Sequence, residues 1–197
     1  METRHLKDAI RKKYQPICTI FGSSSCSPGS DLYTFAEELG SAVAKHGFTV
    51  ANGGYDGTMD AAAKGARSVG GEAIGITTDE IVRAGPSGNL TEEFREFSLM
   101  TRLEMCLTIA DVFIVLPGSI GTLAEMVLAW NKLELGITSP KPIITVGKKW
   151  KKIFDIMFDK DPLVPKSGWK KDDDIAKTTF FAETVEEIEN ILLKFSK

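Results

Sequence analysis

The chain has 197 residues, enough for one sizeable hydrophobic core and too few for two comfortable ones. Hydrophobic residues make up 43% and charged residues 26%, ordinary values for a folded globular protein, so disorder is set aside. A net charge of −3 argues against a general nucleic-acid coat, which needs a basic face.

Residues 1–13 are polar and charged and lack the apolar core of a signal peptide. They read as a peripheral segment, and the chain as cytoplasmic. Ile17-Cys18-Thr19-Ile20-Phe21 ends at Gly22 and predicts a buried strand. Leu32 to His46 has helical spacing at Leu32, Phe35, Ala36, Leu39 and Val43 and stops at Gly47, a C′ glycine. Phe48-Thr49-Val50-Ala51 is the second strand, and the turn Gly53-Gly54-Tyr55-Asp56-Gly57 leads into an Ala-rich helix from Thr58 to Val69. Ala73-Ile74-Gly75-Ile76 is the third strand. Thr77 to Glu93 reads as a long connection, equally a lid or a plain surface loop. A helix follows from Leu99 to Ile109, then the fully apolar strand Val112-Phe113-Ile114-Val115-Leu116 and a helix from Leu123 to Leu135. Pro142 to Val146 is a further strand. Lys148-Lys149-Trp150-Lys151-Lys152, with Lys170 and Lys171 beyond it, reads as a solvated helix start in preference to a basic patch. Thr184 to Phe195 is an amphipathic helix.

No apolar run approaches the roughly 20 residues of a membrane span. Cys18, Cys26 and Cys106 have the spacing of neither a disulfide framework nor a zinc site, so no metal is expected. No repeat or linker divides the chain, and residues 1–197 are expected to form one nucleotide-binding domain.

The strands are continuous apolar runs alternating with helices. Such strands are buried on both faces, which predicts an α/β fold of three layers with a mostly parallel sheet. Ligands in these sheets bind beyond the carboxyl ends of the strands. That rule selects three loops: Gly22 to Asp31, Asn52 to Gly57, and Pro117 to Thr122.

Pro117-Gly118-Ser119-Ile120-Gly121-Thr122 is the strongest signal. It follows the most apolar strand and opens a helix, whose first N–H groups and partial positive charge suit a phosphate. Gly118 and Gly121 allow close approach, and Ser119 and Thr122 add hydroxyls. The bland alternative is a tight turn with no ligand. Glu125, three residues after Thr122, completes the spacing of a capping box, or it is a carboxylate held beside the ligand. Arg102 reads as a helix-surface arginine or a functional one. Thr101 and Glu104 around it also have capping-box spacing. Gly22, Ser23 and Ser24, with Ser25, suit hydrogen bonds to a nucleotide or an ordinary cap, and Gly53, Gly54 and Gly57 line the second loop. No G-x-G-x-x-G and no Walker sequence is present. His5 and His46 look peripheral, which sets aside Ser-His and Cys-His catalysis.

Leu116 to Glu125, read as L-P-G-S-I-G-T-L-A-E, resembles the P-G-G-x-G-T-x-x-E motif of the Lonely Guy (LOG) family of cytokinin riboside 5′-monophosphate phosphoribohydrolases. Members are often labelled possible lysine decarboxylases. Arg102 precedes Ala110-Asp111-Val112-Phe113-Ile114 at the spacing of that family's catalytic arginine. Phe21-Gly22-Ser23-Ser24, Leu135-Gly136-Ile137 and Lys141-Pro142 also match, so the resemblance covers Ile17 to Val146. Ser119 stands at the motif's second glycine, and Leu103 where the cytokinin-type enzymes carry Lys. Asn52-Gly53-Gly54-Tyr55-Asp56-Gly57-Thr58-Met59-Asp60 follows G-G-G-x-x-G-L-M-G in part.

The resemblance implies a Rossmann-like fold, usually dimeric, in which Arg102 and Glu125 act on the N-glycosidic bond of an AMP-like nucleoside monophosphate without a cofactor. A homodimer also suits the helix from Leu123 to Leu135, which is apolar over more than one face. The alternative is a non-catalytic nucleotide sensor or carrier of the same fold. The decarboxylase label is set aside, because a pyridoxal-phosphate enzyme needs a Schiff-base lysine and none lies in the three loops.

Overall fold

The computed structural model describes residues 2–82, 85–158 and 173–195. In chain order the elements are α1 (Glu2–Tyr14), β1 (Ile17–Phe21), α2 (Asp31–Lys45), β2 (Thr49–Asn52), α3 (Thr58–Ser68), β3 (Ala73–Thr78), β4 (Glu92–Glu96) and α4 (Leu99–Ile109). There follow β5 (Val112–Val115), α5 (Ile120–Glu134), β6 (Ile143–Val146), α6 (Lys148–Phe158), α7 (Asp174–Thr178), β7 (Thr179–Ala182) and α8 (Val185–Leu192).

The seven strands form one sheet in the order β4-β3-β2-β1-β5-β6-β7, and every neighbouring pair is parallel. Successive side chains of a strand point to opposite faces. Accordingly Ile17, Phe21, Phe113 and Val115 enter one core, with Trp130, Trp150 and Met105 from the helices. Cys18, Ile20, Val112 and Ile114 enter the other, with Leu39, Ala62 and Ile188. Helices α1, α4, α5, α6 and α7 cover the first face and α2, α3 and α8 the second. This is the Rossmann-like α/β architecture. Connection direction reverses between β1 and β5, so the loops leaving these neighbouring strands diverge and open a crevice at their carboxyl ends.

Local chemistry sets the helix ends. Ser30 caps α2 and Ser98 caps α4, the latter in a reciprocal capping box with Thr101. Glu104 has no part in that box, so the Thr101–Glu104 spacing is not the cap of this helix. Past α2, Gly47 takes φ +82 and closes a Schellman motif, with Gly47 N–H donating to Ala44 O and Phe48 N–H to Val43 O. Helices α2 and α3 meet at backbone distance: a Cβ on Gly40 would lie 2.0 Å from Ala62 O, and one on Gly65 would lie 1.8 Å from Glu37 O.

Several elements differ from expectation. The N-terminal segment is not peripheral: it forms α1, which buries Ile10 and Tyr14 in the core. Arg11 anchors it by donating to Ile109 O and Asp111. The connection expected from Thr77 to Glu93 is shorter at both ends: β3 runs on to Thr78, and Glu92 already starts the strand β4, charged at Glu92, Glu93, Arg95 and Glu96 and, among the described residues, paired with β3 alone. Helix α5 begins at Ile120, three residues before the expected Leu123. The basic run at Lys148 does start a helix, α6, whose Trp150 is fully buried and donates to Leu116 O (3.0 Å). Lys170 and Lys171 lie outside the described residues. Among the described residues no helix is long and apolar enough to cross a membrane.

Candidate active site

A cleft of about 750 Å³ opens at the carboxyl ends of the strands, where the three sequence-selected loops converge. Its wall includes Gly22 and Ser24 after β1, Gly53 after β2, and Ser119, Gly121 and Thr122 at the start of α5. Arg102 and Glu125 also line it. Of the other expected site residues, Ser23, Gly54, Gly57, Pro117, Gly118 and Ile120 are not on the wall. Ile120 is 78% exposed and points elsewhere. The rest shape the loops. Gly57 has φ +72, and a Cβ there would lie 2.3 Å from Ser23 O, so only glycine lets the second loop pass under the first. Ser23 O in turn accepts from Thr58 N–H (2.9 Å) and Thr58 Oγ1 (3.1 Å).

Ser119 is the N-cap of α5 and makes no side-chain cap bond, so the helix start stays open toward the cleft. A Cβ on Gly121 would meet nothing within 4 Å, which leaves room for a ligand against the backbone. The Thr122 hydroxyl does not face the ligand space as expected. It donates to Gly22 O (3.0 Å), tying the α5 start to the β1 loop. Gly118 makes that bond feasible, since a Cβ there would fall 2.1 Å from Thr122 Oγ1. With the cap at Ser119 and this hydroxyl committed, Thr122 and Glu125 form no capping box. That reading of Glu125 is removed.

Arg102 comes from α4 and is 6% exposed. Its Nε donates to Ile76 O (2.8 Å), and its guanidinium lies 5.9 Å from the centre of the Tyr55 ring. Tyr55 is itself fixed, its hydroxyl donating to Thr78 O (3.1 Å) and accepting from Thr78 N–H (2.9 Å). Gly53 packs against the same guanidinium: a Cβ on it would fall 1.8 Å from Arg102 Nη2. Arg102 Nη1 faces Glu125 Oε1 at 3.6 Å. Burial raises the Glu125 pKa from 4.5 to about 7, against the opposing pull of Arg102. The pair therefore holds a largely buried carboxylate with its pKa raised toward neutrality in the wall of the cleft.

Sequence reasoning missed Tyr55, Met59, Asp56 and the rim residues Glu80, Ile81 and Val82. The available signal for Tyr55 was an aromatic residue inside a glycine turn. Glu80 to Val82 fall in the segment that read equally as lid or surface loop. They border the cleft, and Glu80 accepts from Leu99 N–H (2.7 Å) at the start of α4.

The family model of the SLOG cluster4 family matches residues 15–163, most of the chain and all three cleft loops. The chain belongs to the SLOG cluster4 family. Within it the Lonely Guy resemblance holds. A cytokinin riboside 5′-monophosphate phosphoribohydrolase of Mycobacterium tuberculosis is 35% identical over 119 residues, which is 59% of this chain. The match spans 63% of that protein's length, less than two thirds. Among solved structures, the structural-genomics target TM1055 superposes with a TM-score of 0.70 at 28% identity, covering 91% of this chain and 99% of that one. The molybdenum cofactor binding protein of Rippkaea orientalis gives 0.71 at 20% identity, covering 92% and 98%. At that identity the second likeness speaks to the fold alone, and it shows that this SLOG-type fold also occurs in a cofactor-binding protein.

Proposed function

We propose that this SLOG-family protein hydrolyses the N-glycosidic bond of a nucleoside 5′-monophosphate, releasing free base and ribose 5-phosphate. One observation carries the reading: a buried Glu125–Arg102 pair faces the same cleft as the uncapped start of α5, one helical turn away. The phosphate sits on the N–H groups that the α5 start turns to the cleft, at Ser119, Gly121 and Thr122. A cleft of about 750 Å³ accommodates a nucleoside monophosphate.

With the phosphate held there, the ribose lies against Glu125. Heterolysis of the C1′–N bond leaves the electron pair on the base and positive charge on the sugar. An ionised Glu125 interacts more strongly with that charge than with the neutral ground state, so it lowers the barrier. Water adds to C1′, and its proton ends on the departing base. Glu125 orients that water, and Arg102 keeps the buried carboxylate ionisable near neutral pH. Phe97, Met100, Ile120 and Val127 are exposed around α4 and α5, and a second copy covering them makes the working unit a homodimer.

The test incubates the protein with AMP and a panel of other nucleoside monophosphates and measures free base by chromatography. Base release that disappears in Glu125→Gln supports the hydrolase. Tight binding with no release from any of them transfers the reading to a nucleotide sensor or carrier.

A further inference from the structure

Asp60, in the first turn of α3, carries a carboxylate that the hydrolysis above does not use, and it is not on the cleft wall. Its two oxygens collect three donors. Tyr33 of α2 donates its hydroxyl to Oδ2 (2.5 Å), while Ser87 Oγ (2.5 Å) and Asn89 Nδ2 (2.8 Å) donate to Oδ1. Burial pushes the Asp60 pKa up, but the bonds from Ser87, Tyr33 and Asn89 more than offset it, and the group is held below its ordinary value.

Ser87 is the pivot. Its Oγ also accepts from Asn89 N–H (3.1 Å), and its own N–H donates to Gly54 O (2.8 Å). Gly54 stands between Gly53 and Tyr55, the two residues packed on the Arg102 guanidinium. A continuous line of direct contacts thus runs from Asp60 through Ser87 and the glycine turn to Arg102, and from Arg102 to Glu125.

We infer that Asp60 is a positioning residue for the Arg102–Glu125 pair: it clamps the Ser87–Asn89 turn against the glycine loop that fixes Arg102. The inference rests on the hydrolase reading for its consequence in turnover, and on contacts alone for its consequence in structure. A role confined to tying α2 to α3 through Tyr33 fits less well. Those helices already meet at backbone distance through Gly40 and Gly65, and Lys64 pairs with Glu37 across them (3.0 Å).

The experiment uses the full chain, four single variants, Asp60→Ala, Asp60→Asn, Ser87→Ala and Tyr33→Phe, and the double variant that combines Asp60→Ala with Ser87→Ala. Asp60→Ala should lower kcat for AMP about tenfold, within the range by which a displaced catalytic group slows a reaction. KM should stay within about twofold, because the phosphate anchor is untouched. Hydrogen exchange at Ser87 N–H and at Arg102 Nε–H, read by NMR, should accelerate in the same variant. Ser87→Ala should reproduce these effects, and should do so alone if Asp60→Ala fails to fold. The double variant should be no slower than the worse single one, since both break one path. Asp60→Asn keeps an acceptor at Oδ1 and should recover most of the rate. Tyr33→Phe acts on the other oxygen and should leave kcat and Arg102 exchange within about twofold of wild type. The inference is overturned if Tyr33→Phe reproduces Asp60→Ala while Ser87→Ala does not, or if Asp60→Ala leaves Arg102 exchange unchanged. Should wild type release no base, the hydrolase reading fails by itself, and the exchange measurements decide the positioning role.

Discussion

Replacing Glu125 by Gln removes one buried negative charge while keeping the shape of the side chain. Burial raises the Glu125 pKa from 4.5 to about 7 despite Arg102 at 3.6 Å. The folded protein therefore binds this proton more tightly than the unfolded chain does. It follows that stability declines as pH rises from about 4.5 through about 7, and the loss is complete above that. Each pKa unit corresponds to about 1.4 kcal/mol, so ionised Glu125 costs the fold up to about 3 kcal/mol at pH 8. Glu125→Gln should recover that amount. For a chain of this size 1 kcal/mol moves Tm by about 2–4 °C, so the variant should melt roughly 6–12 °C above wild type at pH 8 and within about 3 °C of it near pH 5. Base release should fall about 10²-fold or more at the same time, the usual loss for a positioned catalytic group. Calorimetric melting of both proteins between pH 5 and pH 8.5 makes the comparison. A variant less stable than wild type at pH 8 would refute the reasoning, because Glu125 would then be a stabilising partner of Arg102 and not a group held at a cost for chemistry.

Three further outcomes are expected. AMP should bind at least about tenfold tighter than adenosine, since two or three charge-assisted bonds to the α5 start outweigh desolvation by more than about 1.4 kcal/mol. Gly121→Val should erase most of that difference by filling the open space beside the backbone, and equal wild-type affinity for the two ligands in calorimetric titration removes the phosphate assignment. Gly53→Ala should lower stability, because its Cβ would fall 1.8 Å from the buried, hydrogen-bonded Arg102 guanidinium and 2.7 Å from Met59 Sδ, and it should slow base release about tenfold or more by displacing that guanidinium. An unchanged rate in Gly53→Ala would detach Arg102 from the reaction. Light scattering at micromolar concentration should return the mass of a dimer, and a monomeric mass eliminates the proposed covering of Met100, Ile120 and Val127 by a second copy.

The central strands were legible because both of their faces are buried, so β1, β2, β3, β5 and β6 appear as short runs dominated by apolar residues, with only small threonines, Gly75 and Asn52 between or beside them. The edge strands were not. Residues of β4 alternate between half-buried and exposed along most of its length, and β7 leaves Phe181 at the surface. Helix α1 was hidden by its composition, since among its described side chains Ile10 and Tyr14 alone are buried. In the cleft the loop that opens α5 could be read from its glycines, and the Lonely Guy resemblance coupled Arg102 to Glu125 across 23 positions of chain. Spacing alone left Glu125 between cap and catalyst, because the true helix start at Ile120 depends on Thr122 bonding to Gly22 O, a contact between residues 100 apart. Tyr55 and Asp60 were opaque for the same reason: their partners, Arg102, Ser87 and Tyr33, come from other elements.

The charged margin of the sheet limits how copies of this protein come together. Four of the five residues of β4 carry charge, and its outer edge, which no described strand pairs with, would have to align with an identical one to extend the sheet. In an in-register parallel seam each of these charges would face its own copy and repel it, so that mode of strand addition is disfavoured even where local opening exposes the edge. Concentrated samples stressed by heat should resist seeding in-register parallel fibrils from this margin. Neutralising Glu92, Glu93, Arg95 and Glu96 together would remove that protection.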